Sequence, residues 1–157
     1  MPFFSIIIPT YNRSNFISAT VNSILQQTFY DFEIIIIDDG SIDNTEDVIS
    51  KITDVRIKYF KQQNLERGAA RNNGFGKATG EYVIFFDSDD IMYPNNLTDL
   101  KNAIGLNPSI RFLTTKFNYF ENGKTIAASL AQNLYGGWYK GDIYLKGGMT
   151  GIMICIR

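Results

Sequence analysis

Tyr82-Val83-Ile84-Phe85-Phe86 runs directly into Asp87-Ser88-Asp89-Asp90, so three carboxylates stand at the end of an unbroken apolar run. Five consecutive apolar residues predict a strand covered on both faces, as in a parallel sheet with helices above and below it. Ligands of such sheets collect outside the carboxyl ends of the strands. Asp87 and Asp89 can converge on one centre, because alternate residues of an extended segment point the same way. Oxygen-only donors suit a hard divalent cation, Mg²⁺ or Mn²⁺. The same four residues also suit an acidic turn or a helix cap, for which Asp and Ser have preferences of their own. The spacing by itself leaves both readings open.

The pattern occurs twice. Phe32-Glu33-Ile34-Ile35-Ile36-Ile37 is a second buried strand, and it too ends in acid, at Asp38-Asp39-Gly40-Ser41. Between the two acidic ends lies a small-residue helix expected over Ala69 to Ala78, with Arg71 in its first turn. Carboxylates and a guanidinium at one edge of a sheet outline a site for a nucleoside diphosphate. A metal at Asp87 and Asp89 would bridge the two phosphates, Arg71 could add a charge-assisted contact, and a helix start at Gly68-Ala69-Ala70 could offer backbone N–H groups. An ionised Asp39 could accept the ring N–H of a pyrimidine, and Tyr11 offers a flat face for stacking. Taken singly, Arg71 is equally an ordinary surface salt bridge and Tyr11 equally a loop-packing residue.

The elements that must position these groups are readable in order. Phe4 to Ile8 is a short strand closed by Pro9, followed by the loop Thr10-Tyr11-Asn12-Arg13, with Ser14 placed to cap a helix. Ile17, Val21, Ile24 and Leu25 recur at helical spacing within Asn15 to Gln27. Asp43 or Asn44 can cap a helix running to about Thr53. Val55 to Phe60 reads as a third strand and Gln62 to Gly68 as a polar loop. Gly80 is placed for a left-handed cap ending the Ala69–Ala78 helix. Pro94 suits the first turn of a helix reaching about Asn107. Alternating strands and helices predict an α/β domain, its central sheet mostly parallel with helices on both faces. After Pro108, Glu121-Asn122-Gly123 between two apolar segments predicts a hairpin, so the sheet becomes mixed. Leu130 to Tyr139, with Gly136-Gly137 and Trp138, reads as a surface loop that could line a site. Tyr144 and Leu145 suit a short helix, and Gly151 to Arg157 a final strand.

At 157 residues, 45% hydrophobic and 20% charged, the chain reads as one domain able to bury a sizeable core. Fifteen basic against sixteen acidic residues, a formal net charge of −1, give no overall charge argument for nucleic acid or an anionic membrane surface. The absence of histidine excludes His-based catalysis and the commonest zinc sites, and a single cysteine excludes an intrachain disulfide. Cys155, in the apolar run Ile152 to Ile156, reads as a buried, inert thiol. Met1 to Pro9 lacks the features of a signal peptide, and no apolar run reaches the roughly 18 residues of a membrane span, so a cytoplasmic location is expected. Arg157 directly follows a strand-like run, which reads as a cut inside a larger protein. The apolar surface left by such a cut could drive self-association.

Four motifs in register carry a family resemblance. Ile6-Ile7-Ile8-Pro9-Thr10-Tyr11-Asn12-Arg13, Ile37-Asp38-Asp39-Gly40-Ser41, Ala70-Arg71-Asn72-Asn73-Gly74, and Gly80-Glu81-Tyr82 through Asp87-Ser88-Asp89-Asp90 together resemble the inverting family 2 glycosyltransferases of the GT-A fold. The resemblance covers residues 4 to 97. It implies a nucleotide-sugar donor, usually a UDP-sugar, contacted by Pro9, Thr10, Tyr11, Asp39, Arg71, Asp87, Ser88 and Asp89. Pro9, Thr10 and Tyr11 would lie near the base, Asp39 on uracil and Arg71 near base or phosphate. Asp87 would lie near the ribose or the metal, and Asp89 would bind Mn²⁺ or Mg²⁺. The implied reaction is one in-line displacement at the anomeric carbon by an acceptor hydroxyl of a glycan, lipid-linked or protein-linked acceptor.

Such a reaction also needs a base, which the family normally places beyond the strand matched here by Gly151 to Arg157. Asp142, the only carboxylate between Glu121 and the end, does not match that position. Residues 1–108 therefore read as the nucleotide-binding part of one domain and 109–157 as the incomplete start of an acceptor side. The alternative is a non-catalytic nucleotide-sugar binding module completed by another domain or chain. A dinucleotide-binding oxidoreductase is disfavoured, since no G-x-G-x-x-G follows the first strand.

Overall fold

The computed structural model describes residues 1–106 with their side chains and the backbone of 112–114, 118–121, 124–127 and 153–156. In chain order the elements are β1 (Phe4–Thr10), α1 (Ile17–Leu25), β2 (Phe32–Asp38), α2 (Thr45–Ser50), β3 (Ile57–Lys61), α3 (Glu66–Lys77), β4 (Tyr82–Phe85), α4 (Asn96–Leu106), β5 (Phe112–Thr114), β6 (Asn118–Glu121), β7 (Lys124–Ala127) and β8 (Met153–Ile156). Two compact units result, Met1–Leu113 with Met153–Arg157, and Thr114–Ile152. The first holds a sheet of order β3-β2-β1-β4-β8-β5, in which β3, β2, β1 and β4 are parallel and β8 is antiparallel to β4. The expected α/β sheet, mixed toward its C-terminal strands, is what forms. In the second unit β6 and β7 pair antiparallel, with Glu121 opposite Lys124. The predicted hairpin is present; its turn residues Asn122 and Gly123 lie outside the described residues, as do the Leu130–Tyr139 loop, Asp142, Tyr144, Leu145 and the side chain of Cys155.

Burial of both sheet faces explains the unbroken apolar runs. Ile6, Ile8, Ile34, Ile36 and Ile84 point to one side, Ile7, Ile35, Ile37 and Val83 to the other, and every one is fully buried. Ala70 of α3 and Ala78 just after it pack on the second set. Small residues in α3 allow that close approach: a Cβ on Gly74 would fall 2.4 Å from Ile7 Cγ2. α1 buries Ile17, Val21 and Ile24, as its spacing predicts. Among the described residues no helix is long and apolar enough to cross a membrane.

Several predicted boundaries shift, each for a visible reason. Ser14 does not cap α1: Phe16 takes the N-cap position with no side-chain bond, and the Phe16 and Ile17 N–H groups go to the Arg13 carbonyl instead. α2 stops at Ser50 rather than Thr53; Asn44 holds its N-cap position, but Asp43 Oδ1 accepts the Thr45 N–H at 3.0 Å. β3 begins at Ile57, because Asp54 takes the Arg56 N–H and guanidinium into a turn, leaving Val55 99% exposed. α3 begins at Glu66, so its first turn is not Gly68-Ala69-Ala70 and Arg71 sits in its second turn. Gly80 is not a left-handed cap: α3 ends at an extended Ala78, and Gly80 is small because a Cβ there would lie 2.7 Å from Ser5 N. Pro94 lies ahead of α4, whose first N–H, from Asn96, goes to the Tyr93 carbonyl.

Candidate functional site

Parallel strands that diverge at their carboxyl ends leave a crevice, and β1 and β4 part early. The Phe3 and Ile7 carbonyls accept from Tyr82 and Phe86, so odd-numbered residues of β1 pair toward β4, which ends at Phe85. Pro9 is the next odd residue. Having no N–H, it cannot make the next rung, to the Phe86 carbonyl, and the ladder between β1 and β4 ends there. The cleft that opens there has a volume of about 220 Å³. Pro9, Thr10, Tyr11 and Arg13 line it from the end of β1, Asp39 from β2, and Asp87, Ser88 and Asp89 from β4. Asn64, Glu66 and Arg67 close it from the start of α3. Seven of the eight sequence-predicted site residues thus meet in one place, and the eighth, Arg71, reaches it by donating from Nη2 to Asp87 Oδ1 at 2.7 Å.

The acidic segment after β4 is held from behind by buried polar groups of α1 and of Gln27 just past its end. Thr20 Oγ1 donates to the Ser88 carbonyl at 3.0 Å, Ser23 Oγ accepts the Met92 N–H, and Gln27 bridges the Tyr93 carbonyl and the Leu97 N–H. Thr20 and Ser23 interrupt the apolar stripe of α1, and with Gln27 they fix where the carboxylates stand.

Asp38 and Asp39 divide the work at the end of β2. Asp38 is fully buried and spent on structure, its Oδ1 accepting the Ser41 N–H at 2.7 Å and its Oδ2 the Tyr59 hydroxyl at 2.6 Å. Burial first, and then that bond to Asp38, push the Tyr59 phenol well above its ordinary range. Gly40 makes the turn between Asp39 and Ser41 at φ +82°, a conformation side chains rarely adopt. Asp39 lines the cleft; its Oδ1 accepts Gln62 Nε2 at 2.7 Å and the Leu65 N–H at 3.0 Å. Its Oδ2 has no partner among the described residues and remains an acceptor for a ligand.

Arginines answer the acids at the end of β4. Arg71 pairs with Asp87, Arg67 Nη1 stands 3.9 Å from Asp87 Oδ2, and Arg13 Nε stands 3.6 Å from Asp89 Oδ2. Negative charge remains in excess by one, because Asp39, Glu66, Asp87 and Asp89 line the cleft against Arg13 and Arg67, with Arg71 reaching Asp87 from its edge. Burial, and then Asp87 and Asp89, raise the pKa of neighbouring Asp90 above its ordinary value. Two hard oxygen side chains in a surplus of negative charge fit a divalent cation. Among the described residues no three His, Cys, Asp or Glu side chains stand together to cage one. A Mg²⁺ site built on one or two carboxylates is ordinarily completed by substrate phosphates.

Two further polar atoms point to a ligand. Thr10 Oγ1 and Arg71 Nε are buried without a hydrogen-bond partner among the described residues, a costly state that a ligand's oxygens would relieve. Sequence reasoning assigned no role to Arg13, Asn64, Glu66 or Arg67. Arg13 is two residues from Tyr11 in the same loop, and Arg67 is four before Arg71 on one helix, a spacing that places both on the same face. Glu66 sits at φ +72°, and no local signal announces a glutamate there.

The family model described as "Glycosyl transferase family 2" matches residues 5–155. A UDP-Glc:alpha-D-GlcNAc-diphosphoundecaprenol beta-1,3-glucosyltransferase of Escherichia coli is 34% identical over 128 residues, 81% of this chain and 50% of its own. The crystal structure of S. aureus TarS 1-349 in complex with UDP-GlcNAc superposes with a TM-score of 0.74 at 32% identity, covering 85% of this chain and 39% of that one. A mannosyltransferase from Pyrobaculum calidifontis, solved with GDP-Man and Mn²⁺, matches with a TM-score of 0.62 at 25% identity over 71% of this chain and 34% of its own. The chain spans between 20% and 50% of the length of curated relatives such as these. Its α/β fold is the GT-A fold, and the chain belongs to glycosyl transferase family 2.

Proposed function

We propose that this chain is the donor-binding part of a metal-dependent, inverting glycosyltransferase that takes its sugar from a UDP-sugar. The observation that carries the reading is the gathering of Tyr11, Asp39, Asp87 and Asp89 in one cleft at the ends of β1, β2 and β4. On this reading Pro9, Thr10 and Tyr11 wall the base, and Asp39 Oδ2 accepts the uracil ring N–H. Thr10 Oγ1 and Arg71 Nε donate to nucleotide oxygens, which relieves their burial without partners. Asp87 and Asp89, with Ser88 between them, would hold Mn²⁺ or Mg²⁺ together with diphosphate oxygens. Such a cation, when bound, neutralises the charge that grows on the departing diphosphate.

In the displacement an acceptor hydroxyl forms a bond to the anomeric carbon as the bond to the diphosphate breaks, and the hydroxyl proton passes to a base. That base is assigned to no residue of this chain. A lipid-linked acceptor is favoured over a free or protein-linked glycan by the diphosphoundecaprenol acceptor in the E. coli relative's name. Residues 1–108 as the nucleotide-binding part, 109–157 as the beginning of the acceptor side, and a cytoplasmic location belong to the same proposal.

Calorimetry with UDP tests it: binding should require Mn²⁺ or Mg²⁺ and exceed binding of other nucleoside diphosphates. Absence of UDP binding under any metal condition would refute it. The unassigned base keeps a non-catalytic binding module as the second reading. Release of UDP from a UDP-sugar above background by this chain would eliminate that reading.

A further inference from the structure

Asn12, Arg13 and Ser14 are three consecutive residues whose backbone N–H groups all cross to side chains of the β2–α2 loop and the first residue of α2. Asn12 N–H donates to Ser41 Oγ at 2.9 Å, Arg13 N–H to Thr45 Oγ1 at 3.0 Å, and Ser14 N–H to Asp43 Oδ2 at 3.1 Å. A bond in the reverse direction locks the register, from Ile42 N–H to Asn12 Oδ1 at 2.9 Å. Asn12 reaches this geometry at φ +53°, in the left-handed region that Asn tolerates better than most residues. Thr45 is the centre of the clasp. It is fully buried, and its hydroxyl accepts from Arg13 while donating to Asp43 Oδ1.

The clasped loop carries two side chains into the cleft, Tyr11 on one flank and Arg13 within the clasp itself, while the partner loop follows directly on Asp39. We propose that Thr45 is a positioning residue for the nucleotide: its hydroxyl, with Ser41 and Asp43, holds the β1–α1 loop so that Tyr11 meets the base at a fixed distance from Asp39. Thr45 touches no ligand and acts through the loop. The inference rests on the donor-site reading above.

The test is a double-mutant cycle on UDP affinity in Mn²⁺, using Thr45→Val and Tyr11→Ala, with Thr45→Ser as the conservative control. Thr45→Val keeps the shape and removes both hydrogen bonds of the hydroxyl, the one it accepts from Arg13 N–H and the one it donates to Asp43 Oδ1, so UDP should bind about fivefold more weakly, with inorganic pyrophosphate affected less. Thr45→Ser should bind as the natural protein does. In the Tyr11→Ala background the Thr45→Val loss should fall below about twofold, since the coupling has lost its target. Equal losses in both backgrounds, or a loss with Thr45→Ser as large as with Thr45→Val, would overturn the proposal while leaving the donor site standing. Hydrogen exchange of the Asn12, Arg13 and Ser14 amides reports on the clasp without ligand: it should quicken in Thr45→Val, and unchanged exchange refutes the clasp. A natural protein that binds no UDP refutes the donor reading and the clasp's role together.

Discussion

Glu33→Gln is the perturbation whose size the structure lets us work out most fully. Glu33 lies in the second position of β2, at the opposite end of the sheet from the cleft, and is 4% exposed. Its Oε1 accepts from Ser5 Oγ at 2.6 Å, from Thr79 N–H at 2.7 Å and from Thr79 Oγ1 at 2.8 Å, and its Oε2 from Lys58 Nζ at 2.6 Å. One carboxylate thus ties β1, β3 and the turn after α3 to β2. Burial acts to raise its pKa, but Lys58, Ser5 and Thr79 together outweigh burial and hold it at about 2, against an ordinary 4.5. Glutamine keeps the shape but has one acceptor oxygen; with that oxygen toward Ser5 and Thr79, its amide N–H₂ faces the Lys58 ammonium. A shift of that size corresponds to about 3 kcal/mol, reduced to about 2 kcal/mol because Lys58 is partly solvated. A depressed folded-state pKa stabilises fully above the unfolded value, so this contribution is present above pH 4.5 and is lost as pH falls toward 2. Urea unfolding at several pH values is the assay. Glu33→Gln should be less stable by about 2 kcal/mol at pH 7, and the gap should close as pH falls through 4 toward 2. Taking the difference removes the parallel acid sensitivity of Asp43 and Asp54, whose pKa values are also lowered to about 2. A gap independent of pH, or one below about 0.5 kcal/mol at pH 7, would refute the reasoning.

Other substitutions separate the site from its scaffold. Asp89→Ala should abolish metal-dependent UDP binding while costing less than about 0.5 kcal/mol of stability, since its ion pair with Arg13 is solvent-exposed. Unchanged UDP affinity in Mn²⁺ by calorimetry would remove Asp89 from the site. Asp39→Asn can keep its acceptor toward Gln62 and Leu65 while turning the unpaired edge into a donor, so UDP should bind at least about tenfold more weakly with little change for inorganic pyrophosphate. Equal losses for both ligands would refute a base contact. Gly80→Ala should destabilise by about 1 to 3 kcal/mol, because its Cβ would press on the backbone of Phe4 and Ser5. Gly76→Ala, in open space on α3, should stabilise by up to about 1 kcal/mol in the same thermal-melt series.

What was legible in the sequence follows from what each signal depends on. The parallel strands showed because burial on both faces needs apolar residues in an unbroken run, and Ile34 to Ile37 has no alternative use. Asp39, Asp87 and Asp89 showed because each follows such a run directly, so that placing the strand places the carboxylate. Groups whose role depends on a partner distant in the chain were hidden. Ser14 has the right type and spacing for an N-cap, yet its N–H is claimed by Asp43, 29 residues on. Gly80 has the right spacing for a helix C-cap, yet its smallness serves Ser5, 75 residues back. In both cases the local signal named the correct residue and the wrong reason. Arg13 and Arg67 were hidden differently: an arginine on a loop or helix is ordinarily a solvated charge, and only the fold shows that these two face the carboxylates after β4. A cleft formed at strand ends therefore announces the residues that finish its strands, while the loops that clasp it closed become visible only when their partners are in place.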